Sequence, residues 1–432
     1  MEQALRIDCS VLEGGGQIIR NSLAYSVLLD RNVHLANIRH NRPKPGLAQQ
    51  HLVVTSLMKS ISNAELFGAE LLSTSVDFHP NVHLSQAKSS PTINCDIKSA
   101  GAASLVVQAA LPCVLLNKLS RTDFGGFSAM QLHIKGGTNV PFSPPLDHFK
   151  HVISPILGMM GLQTSMQISR RGFYPIGCGK LVLSADVAES IKPLRIVQLG
   201  KALRLNGVYY GTGNYFTQDV IDEFVTLSCA ELNHFFASRS MSAVQEYLAA
   251  SPLFEGADNS VASEQNTLAA AGKKQRSNHS TFGAQLWLTT ESGVPVSANV
   301  LFEGKKSDYF DPQLASRQLV AQLAWVLDSG ACLDEHTADQ LILYMAMAAS
   351  SPLGEGISRE EKTSEMVCAP RCEADLSVPG SATDSAGSSL LHPSSLHIEA
   401  AIHIAKLFTN CEITMEEDPV SKCRKITVAP PR

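Results

Sequence analysis

Apolar residues recur at helical spacing in four stretches of the chain, and shorter runs between them alternate apolar with polar positions. Residues 12–29 and 98–116 each combine a glycine-containing turn with an apolar helix, about 86 residues apart. Further helices are predicted over residues 334–348 and 394–408, each opening from a polar turn. Strands are predicted in runs such as 33–40, 131–137 and 412–418.

This alternation predicts an α/β (α+β) fold in which one unit of strands and helices occurs about three times. Residues 186–285 do not follow the repeat, because 201–213 predict a strand and 218–237 an amphipathic helix. We therefore predict a smaller inserted α/β domain over residues 186–285. The larger domain would comprise residues 1–185 and 286–432.

Two stretches lack hydrophobic periodicity. Residues 251–283 and 352–392 are rich in Ser, Gly, Ala and charged side chains. Such composition cannot bury enough apolar surface to order a chain, so both stretches are predicted to be mobile surface insertions.

Composition and charge exclude several classes of protein. The 432 residues carry a net charge of −5, which argues against a globally basic nucleic-acid binder but leaves room for a local basic patch. No apolar run reaches the roughly 18 residues of a membrane helix, and the N-terminus shows no secretory pattern. The ten cysteines are mostly scattered singly, which favours free thiols in a reducing compartment.

Two segments near the N-terminus could contact phosphate. Residues 13–17 (EGGGQ) place three glycines before a helix, which permits close backbone approach to a ligand or makes only a tight turn. Residues 38–52 gather cations on a loop stiffened by two prolines. That loop suits a polyanion such as an RNA end, or is a solvated basic surface. Its cations are Arg39, His40, Arg42, Lys44 and His51.

Two histidines lie six positions apart in the helix predicted near the C-terminus. They are His397 and His403, and six residues of α-helix separate their side chains too far in azimuth for one shared metal ion. Ser394 or Ser395 would cap the helix and Glu399 would lie in its first turn. His397 at the helix start could be a nucleophile directed at phosphate, or simply a surface histidine.

Seven segments, in chain order, resemble the RNA 3′-terminal phosphate cyclases. The resemblance covers about residues 5–250, 284–350 and 393–430. It implies a large domain of three repeated βαβαββ-type units that carries a smaller inserted α/β domain. The segments are EGGGQIIR, RPKPGLAQQH, SAGAASLVVQAALP, GGTNVPFSPP, RRGFYPIGCGKL, DEHTADQLILYMA and SSLHIEAAIH.

The resemblance also implies an enzyme of the ligase type. Its reaction converts an RNA 3′-terminal phosphate into a 2′,3′-cyclic phosphate with ATP as co-substrate, through a covalent histidine–AMP intermediate and an RNA-adenylate. A divalent cation, Mg²⁺ or Mn²⁺, would assist. By motif position the nucleophile is His397. The rival His392 lies upstream of that position, and His403 lies one turn too deep.

The remaining site residues follow from the same motifs. The pocket for ATP would be lined by Gln108, Pro144, His336, Asp339 and Gln340, together with His397. Two positions depart from the family pattern: His336 stands where a tyrosine is usual, and Cys178 replaces a glycine.

Polar and charged residues near the N-terminus complete the predicted site. Arg20, Arg39, Arg42 and Gln50 are candidates for binding RNA phosphate or the triphosphate. Glu13 is a candidate metal ligand.

Two other functions are compatible with this kind of fold. A non-catalytic cyclase-like factor of pre-ribosomal RNA processing would lack the nucleophilic histidine, so His397 favours the enzyme. An enolpyruvyl transferase on a related repeated fold has no supporting feature in this sequence. The expected partner is RNA with a 3′-terminal phosphate, without a membrane, and the expected localisation is intracellular and nuclear.

Overall fold

The structure, a computed structural model, is described in ten segments of the chain. All statements on structure below refer to these segments. They are residues 3–12, 14–81, 92–116, 128–212, 217–239, 254–256, 279–305, 310–351, 358–370 and 396–431.

The first α/β unit lies near the N-terminus. Its sheet has the strand order β1-β2-β4-β3, with β1 parallel to β2 and the other pairs antiparallel. Its elements are β1 (Leu5–Asp8), α1 (Gly16–Leu28), β2 (Val33–Ala36), α2 (Gln49–Ser62), β3 (Glu65–Phe67) and β4 (Val76–His79).

A second unit has the same arrangement. Its sheet order is β5-β6-β8-β7, again with one parallel pair followed by antiparallel pairs. A π-helical turn, Phe149–Ile153, joins its last two helices. The elements are β5 (Thr92–Asp96), α3 (Ala103–Leu115), β6 (Ala129–Gly136), α4 (Leu146–His148), α5 (Ser154–Met159), β7 (Thr164–Arg170) and β8 (Gly179–Asp186).

After β9 (Arg195–Ile196) the chain enters a separate sheet of order β11-β10-β12-β13. Helices pack against this sheet and against each other. The elements are β10 (Ala202–Thr212), α6 (Gln218–Ala237), β11 (Phe254–Gly256), β12 (His279–Thr290), β13 (Val296–Lys305) and α7 (Pro312–Ser329).

The chain then returns to β9 and builds a third sheet around it. The strand order is β9-β14-β16-β15, with β9 parallel to β14 and the other pairs antiparallel, as in the first two units. The elements are α8 (Glu335–Ser350), β14 (Ser364–Cys368), α9 (His397–Thr409), β15 (Glu412–Glu417) and β16 (Arg424–Ala429).

Two hydrophobic cores correspond to these sheets. The larger core joins all three units around α1, which is buried along nearly its whole length and packs on α2, α3 and α9. Tyr25 of α1 stacks on Phe408 of α9 with ring centroids 5.3 Å apart. Most of the second core lies between Ala202 and Val326, and Ala331, Ala369 and Cys423 complete it. We propose that the smaller domain extends to about residue 330, past the predicted limit at 285.

The structure confirms the α/β class and the predicted helices, which begin at Gly16, Ala103, Glu335 and His397. Two expectations are wrong. The predicted insertion 352–392 contains Ser364–Cys368, strand β14 of the third sheet, and the predicted insertion 251–283 contains β11 and the first residues of β12. The buried residues of β14 alternate, but the strand is only five residues long and one of its three buried residues is the polar Ser364.

Helix α2 was not predicted, because its buried face includes the polar residues His51, Thr55 and Ser62. Among the described helices, none combines the length and the apolar content that crossing a membrane requires. The cysteines of the described segments are all free thiols.

Gly46 holds two loops of the first unit together. It has φ +86°, and a methyl group on it would overlap the carbonyl group of Leu72. Gly161 also has a positive φ, +83°, but nothing lies within 4 Å of a methyl group there. We expect Gly161→Ala to lower the free energy of unfolding by about 1–2 kcal/mol, and Gly46→Ala by about 2–5 kcal/mol. Calorimetric unfolding of both variants measures this difference.

Candidate active site

His397 is the first residue of α9, and the side chain of the preceding residue, Leu396, does not cap the helix. The His397 side chain is 35 % exposed, and its Nδ1 lies 3.4 Å from Oδ2 of Asp339. The ring therefore presents one nitrogen to a carboxylate while remaining accessible to solvent.

Asp339 of α8 links three helices. Its Oδ2 accepts a hydrogen bond of 3.0 Å from Nε2 of Gln17, the second residue of α1, and also faces His397 of α9. Asp334 caps the start of α8 by accepting from the backbone N–H of Thr337 at 2.8 Å. The carboxylate is thus fixed at a well-defined helix start.

Arg20 lies one turn into α1 and is buried. Burial lowers the pKa of Arg20 to about 10, while the charge of Asp339 opposes this shift. The guanidinium therefore remains charged at neutral pH. A methyl group on Gly16 would lie 3.0 Å from Arg20 Nη1 and 2.5 Å from His51 Nε2, so these three residues meet at the start of α1.

His51 is a neutral acceptor in this cationic surrounding. Its Nδ1 accepts a 3.1 Å hydrogen bond from the backbone N–H of Ala48, which caps α2. Burial, with the charges of Arg20 and Arg39, lowers the pKa of His51 to about 3. The imidazole is therefore uncharged across the physiological range.

Arg39 stabilises its own loop. Its Nη1 donates to the backbone carbonyls of Lys44 and Gly46, both at 3.1 Å. Burial and the charge of Arg42 together lower the pKa of Arg39. Arg39 of the predicted basic loop and Arg20 of α1 both lower the pKa of His51, so the two elements act on the same imidazole.

A narrow pocket lies beside the Asp339 carboxylate. Gln108 and Pro112 of α3 line it, together with Gln17, Asp339 and Gln340. Pro112 has no N–H, so the carbonyl of Gln108 loses its usual helical donor. Three α/β units therefore contribute to one pocket.

His336 lies near His397 rather than in the wall of the pocket. Its ring centroid is 6.4 Å from that of His397, with the planes at 59°. Its backbone carbonyl accepts a 2.6 Å hydrogen bond from Nε2 of Gln340. The two predicted residues His336 and Gln340 are thus held together on the first turns of α8.

His148 connects the second unit to α8. Its Nε2 lies 3.0 Å from Oγ1 of Thr337, whose hydroxyl donates to Oδ2 of Asp334 at 2.6 Å. Since that hydroxyl proton is used, Nε2 of His148 is the donor and Nδ1 carries the lone pair. Burial lowers the pKa of His148, which keeps the ring neutral.

Several buried polar atoms around Asp339 have no hydrogen-bond partner among the described residues. Buried polar groups are nearly always hydrogen-bonded in folded proteins. Atoms that are not are candidates for binding a ligand. They are Gln17 Oε1, Arg20 Nε, Asp339 Oδ1 and His148 Nδ1.

Some predicted residues lie elsewhere or cannot be placed. Glu13, His392, Ser394 and Ser395 fall outside the described residues. His403 is half-buried further along α9. Within the described segments, no three His, Cys, Asp or Glu side chains form a group that could hold a metal ion.

The other predicted residues lie on loops and at a helix start, and they are not among the residues that line the pocket beside Asp339. Gln50, in the first turn of α2, lies against Gly101. Pro144 is half-buried on the loop between β6 and α4. Cys178 adopts φ +62°, so its backbone keeps the conformation that the usual glycine would favour.

The sequence did not identify three residues that the structure places in this region: Gln17, His148 and Thr337. Gln17 stands at the end of the EGGGQ motif, so it had a signal in the sequence. His51 was predicted as a cation of residues 38–52, but its lowered pKa makes it neutral. His148 and Thr337 are 189 residues apart and share no motif.

Comparison with known proteins gives one consistent result. A sequence model of the RNA 3′-terminal phosphate cyclase family matches residues 11–415. The chain is 31 % identical over 347 residues to a Drosophila melanogaster protein named RNA 3′-terminal phosphate cyclase. This match covers 80 % of this chain and 84 % of that protein. A protein of that name from Pyrobaculum neutrophilum is 33 % identical over 346 residues, or 80 % of this chain and 86 % of the relative.

A pH dependence of stability follows from His51. Because its folded-state pKa of about 3 lies below the ordinary 6.5, the unfolded chain binds more protons between these values, and stability falls as the pH falls through that window. His51→Gln removes the titration and keeps an acceptor for the Ala48 N–H. Between neutral pH and about pH 5, the free energy of unfolding of wild type should fall by about 2 kcal/mol more than that of His51→Gln.

Thermal unfolding at several pH values tests this. Curves of stability against pH that run parallel for wild type and His51→Gln would contradict the lowered pKa.

Proposed function

The chain belongs to the RNA 3′-terminal phosphate cyclase family, and from that membership we propose that it converts an RNA 3′-terminal phosphate into a 2′,3′-cyclic phosphate at the expense of ATP. The observation that carries the proposal is His397 at the N-terminus of α9, facing the buried carboxylate of Asp339. The positive charge of Arg20 acts on the same carboxylate.

His397 is the proposed nucleophile. With Nδ1–H directed at Asp339, Nε2 carries the lone pair and attacks the α-phosphorus of ATP. The bond to pyrophosphate breaks and pyrophosphate leaves with the electron pair, so AMP remains on His397 as a phosphoramidate. Asp339 holds the ring in this tautomer and stabilises the positive charge that develops on the imidazole.

The positive surroundings of His397 suit a transferring phosphoryl group. The N–H groups at the start of α9 and the helix dipole favour negative charge there. The charge of Arg20 interacts with that of Asp339, and Arg39 and Arg42 are further cations of the proposed site. Guanidinium groups bind phosphate oxygens in bidentate fashion.

Two further steps complete the reaction. An oxygen of the RNA 3′-phosphate attacks the phosphorus of the histidine-bound AMP, which releases His397 and forms an RNA-adenylate. The neighbouring 2′-OH then attacks the 3′-phosphorus, loses its proton, and AMP leaves. The last step is intramolecular, so correct positioning supplies several kcal/mol of its barrier.

The nucleotide itself would contact the pocket lined by Gln108, Asp339 and Gln340. His336, beside His397, and Pro144 would contact it from outside this pocket. An imidazole at position 336 can stack on adenine and form a hydrogen bond, as the usual tyrosine would.

The metal requirement is also a proposal. Mg²⁺ bound to a triphosphate keeps mostly phosphate and water ligands and needs only one or two carboxylates. The described residues offer oxygen donors of that kind but no cluster of three ligands, and Glu13 is the candidate carboxylate. When bound, Mg²⁺ or Mn²⁺ would reduce the negative charge on the departing pyrophosphate.

The covalent intermediate gives a direct test. Incubation with α-labelled ATP and Mg²⁺ or Mn²⁺, followed by denaturation, should leave acid-labile, alkali-stable label on the chain. His397→Ala should abolish the label, since it removes the attacking nitrogen. His403→Ala, on the same helix, and His392→Ala should retain it. A folded wild-type protein without label under either metal would favour the non-catalytic RNA-processing alternative.

Asp339→Asn tests the positioning of the nucleophile. The amide keeps the shape of the side chain but removes the charge that fixes and stabilises the imidazole. We expect the rate of His397 adenylylation to fall about 10²–10⁴-fold. Asp328→Asn, on a carboxylate that pairs with Arg239 at the surface, is the matched control. Equal rates in the two variants would remove Asp339 from the mechanism.

A further inference from the structure

The loop of residues 138–147 is closed on itself by hydrogen bonds at its two ends. The backbone N–H of Leu146 donates to the carbonyl of Thr138 at 3.0 Å, and Nδ2 of Asn139 donates to Oδ2 of Asp147 at 3.0 Å. This loop carries Pro144. It continues into the helical segment whose Phe149 and Ile153 line the pocket beside Asp339.

Arg171 binds both ends of this loop at once. Its Nη1 donates to Oδ2 of Asp147 at 2.7 Å and to Oδ1 of Asn139 at 3.2 Å, and its Nη2 donates to Oδ1 of Asp147 at 2.9 Å. Both charged side chains are largely buried, with 12 % of Arg171 and 3 % of Asp147 exposed. Burial alone would raise the pKa of Asp147, but Arg171 reverses this and the pKa is lowered.

The outer face of the same guanidinium is covered by the smaller domain. Its carbon Cζ lies 4.7 Å from the ring centroid of Tyr210 on β10, and that ring stacks on Phe173 at 5.8 Å. Tyr210 is buried, and its hydroxyl interacts with the side chain of Asn139 through a hydrogen bond. A second stacked pair, His151 on Trp287 with centroids 3.8 Å apart, lies at the same boundary.

The end of the loop is also connected to α8, the helix that carries Asp339. His148, the residue after Asp147, donates to Thr337 in the first turn of α8, which also carries His336 and Asp339. A continuous series of contacts therefore runs from Tyr210 through Arg171, Asp147 and His148 to α8.

We propose that Arg171 is a positioning residue for the nucleotide pocket. Through its contact with Tyr210, it couples the position of the smaller domain to the conformation of the loop 138–147. It touches no reacting atom. It sets the position of the wall formed by Phe149 and Ile153 against that formed by Asp339. This inference rests on the proposed function for its consequence in catalysis, while the coupling itself is a property of the fold.

Arg171→Lys is the informative variant, because lysine keeps the charge but cannot bind Asp147 and Asn139 with a planar fork. Arg239→Lys is the matched control. Arg239 also makes a two-pronged contact with an aspartate, Asp328, at 2.7 and 2.6 Å, and lies over the ring of Phe235 at 3.8 Å, but at the exposed end of α6.

The rate of single-turnover adenylylation against ATP concentration separates binding from chemistry. Arg171→Lys should raise the ATP concentration at half-maximal rate about tenfold and change the maximal rate by less than about threefold. Arg239→Lys should change neither. A half-saturating concentration unchanged in Arg171→Lys, or a fall in maximal rate alone, overturns the proposal.

Hydrogen exchange of the backbone amides gives a readout that needs no reaction. The amides of Thr138, Asn139 and Leu146 should exchange about tenfold faster in Arg171→Lys than in wild type, and at the wild-type rate in Arg239→Lys. Unchanged exchange in Arg171→Lys overturns the coupling. If wild type takes no label but the exchange differs as expected, the proposed function fails and the coupling stands.

Tyr210→Phe keeps the test decisive if Arg171→Lys does not fold. Phenylalanine preserves the ring over Arg171 and the stack on Phe173, and removes only the hydroxyl that is coupled to Asn139. The same shifts are expected at about two- to fivefold. Wild-type values for both half-saturation and exchange would count against the proposal.

Discussion

The carboxylate of Asp339 is the interaction on which the candidate site depends. One oxygen accepts from Gln17 and faces His397, so a single buried negative charge joins the starts of α1, α8 and α9. A buried carboxylate is costly unless it is paired and hydrogen-bonded. Here the charge of Arg20 offsets that cost. Removing any of these partners would leave the Asp339 carboxylate buried with less compensation, and the free energy of folding would become less favourable. The stability of the site therefore depends on all of these residues together.

The common strand order of the three units explains how these helix starts come together. In the first and third units a parallel pair, β1 with β2 and β9 with β14, is joined by a connection that contains α1 or α8. In these units α1, α2 and α9 begin after the carboxyl ends of β1, β2 and β14. In open α/β sheets this end of the strands is where ligands bind. The large core packs the first unit against the third through α1 and α9, and so brings both ligand-binding ends to one place.

Much of this arrangement could be predicted from sequence, and the failures have physical causes. The apolar helices carry strong periodicity, and motif order placed Asp339, Gln340 and His397 in one site. Helix α2 and strand β14 were missed because polar residues such as Thr55 and Ser364 fill part of their buried faces. The contact of His148 with Thr337 depends on tertiary packing across 189 residues, which no local pattern encodes.

Strand β9 has consequences for how the protein folds as it is synthesised. It is two residues long, and its partner strand β14 lies about 170 residues further along the chain. The hydroxyl of Ser364, which accepts a hydrogen bond from the backbone N–H of Leu194, lies equally far along the chain. The first two units can form their sheets while the ribosome is still translating the smaller domain. The third sheet cannot close until β14 and β16 have emerged. A nascent chain released before α9 would therefore contain Arg20, His51 and Gln108 but not His397.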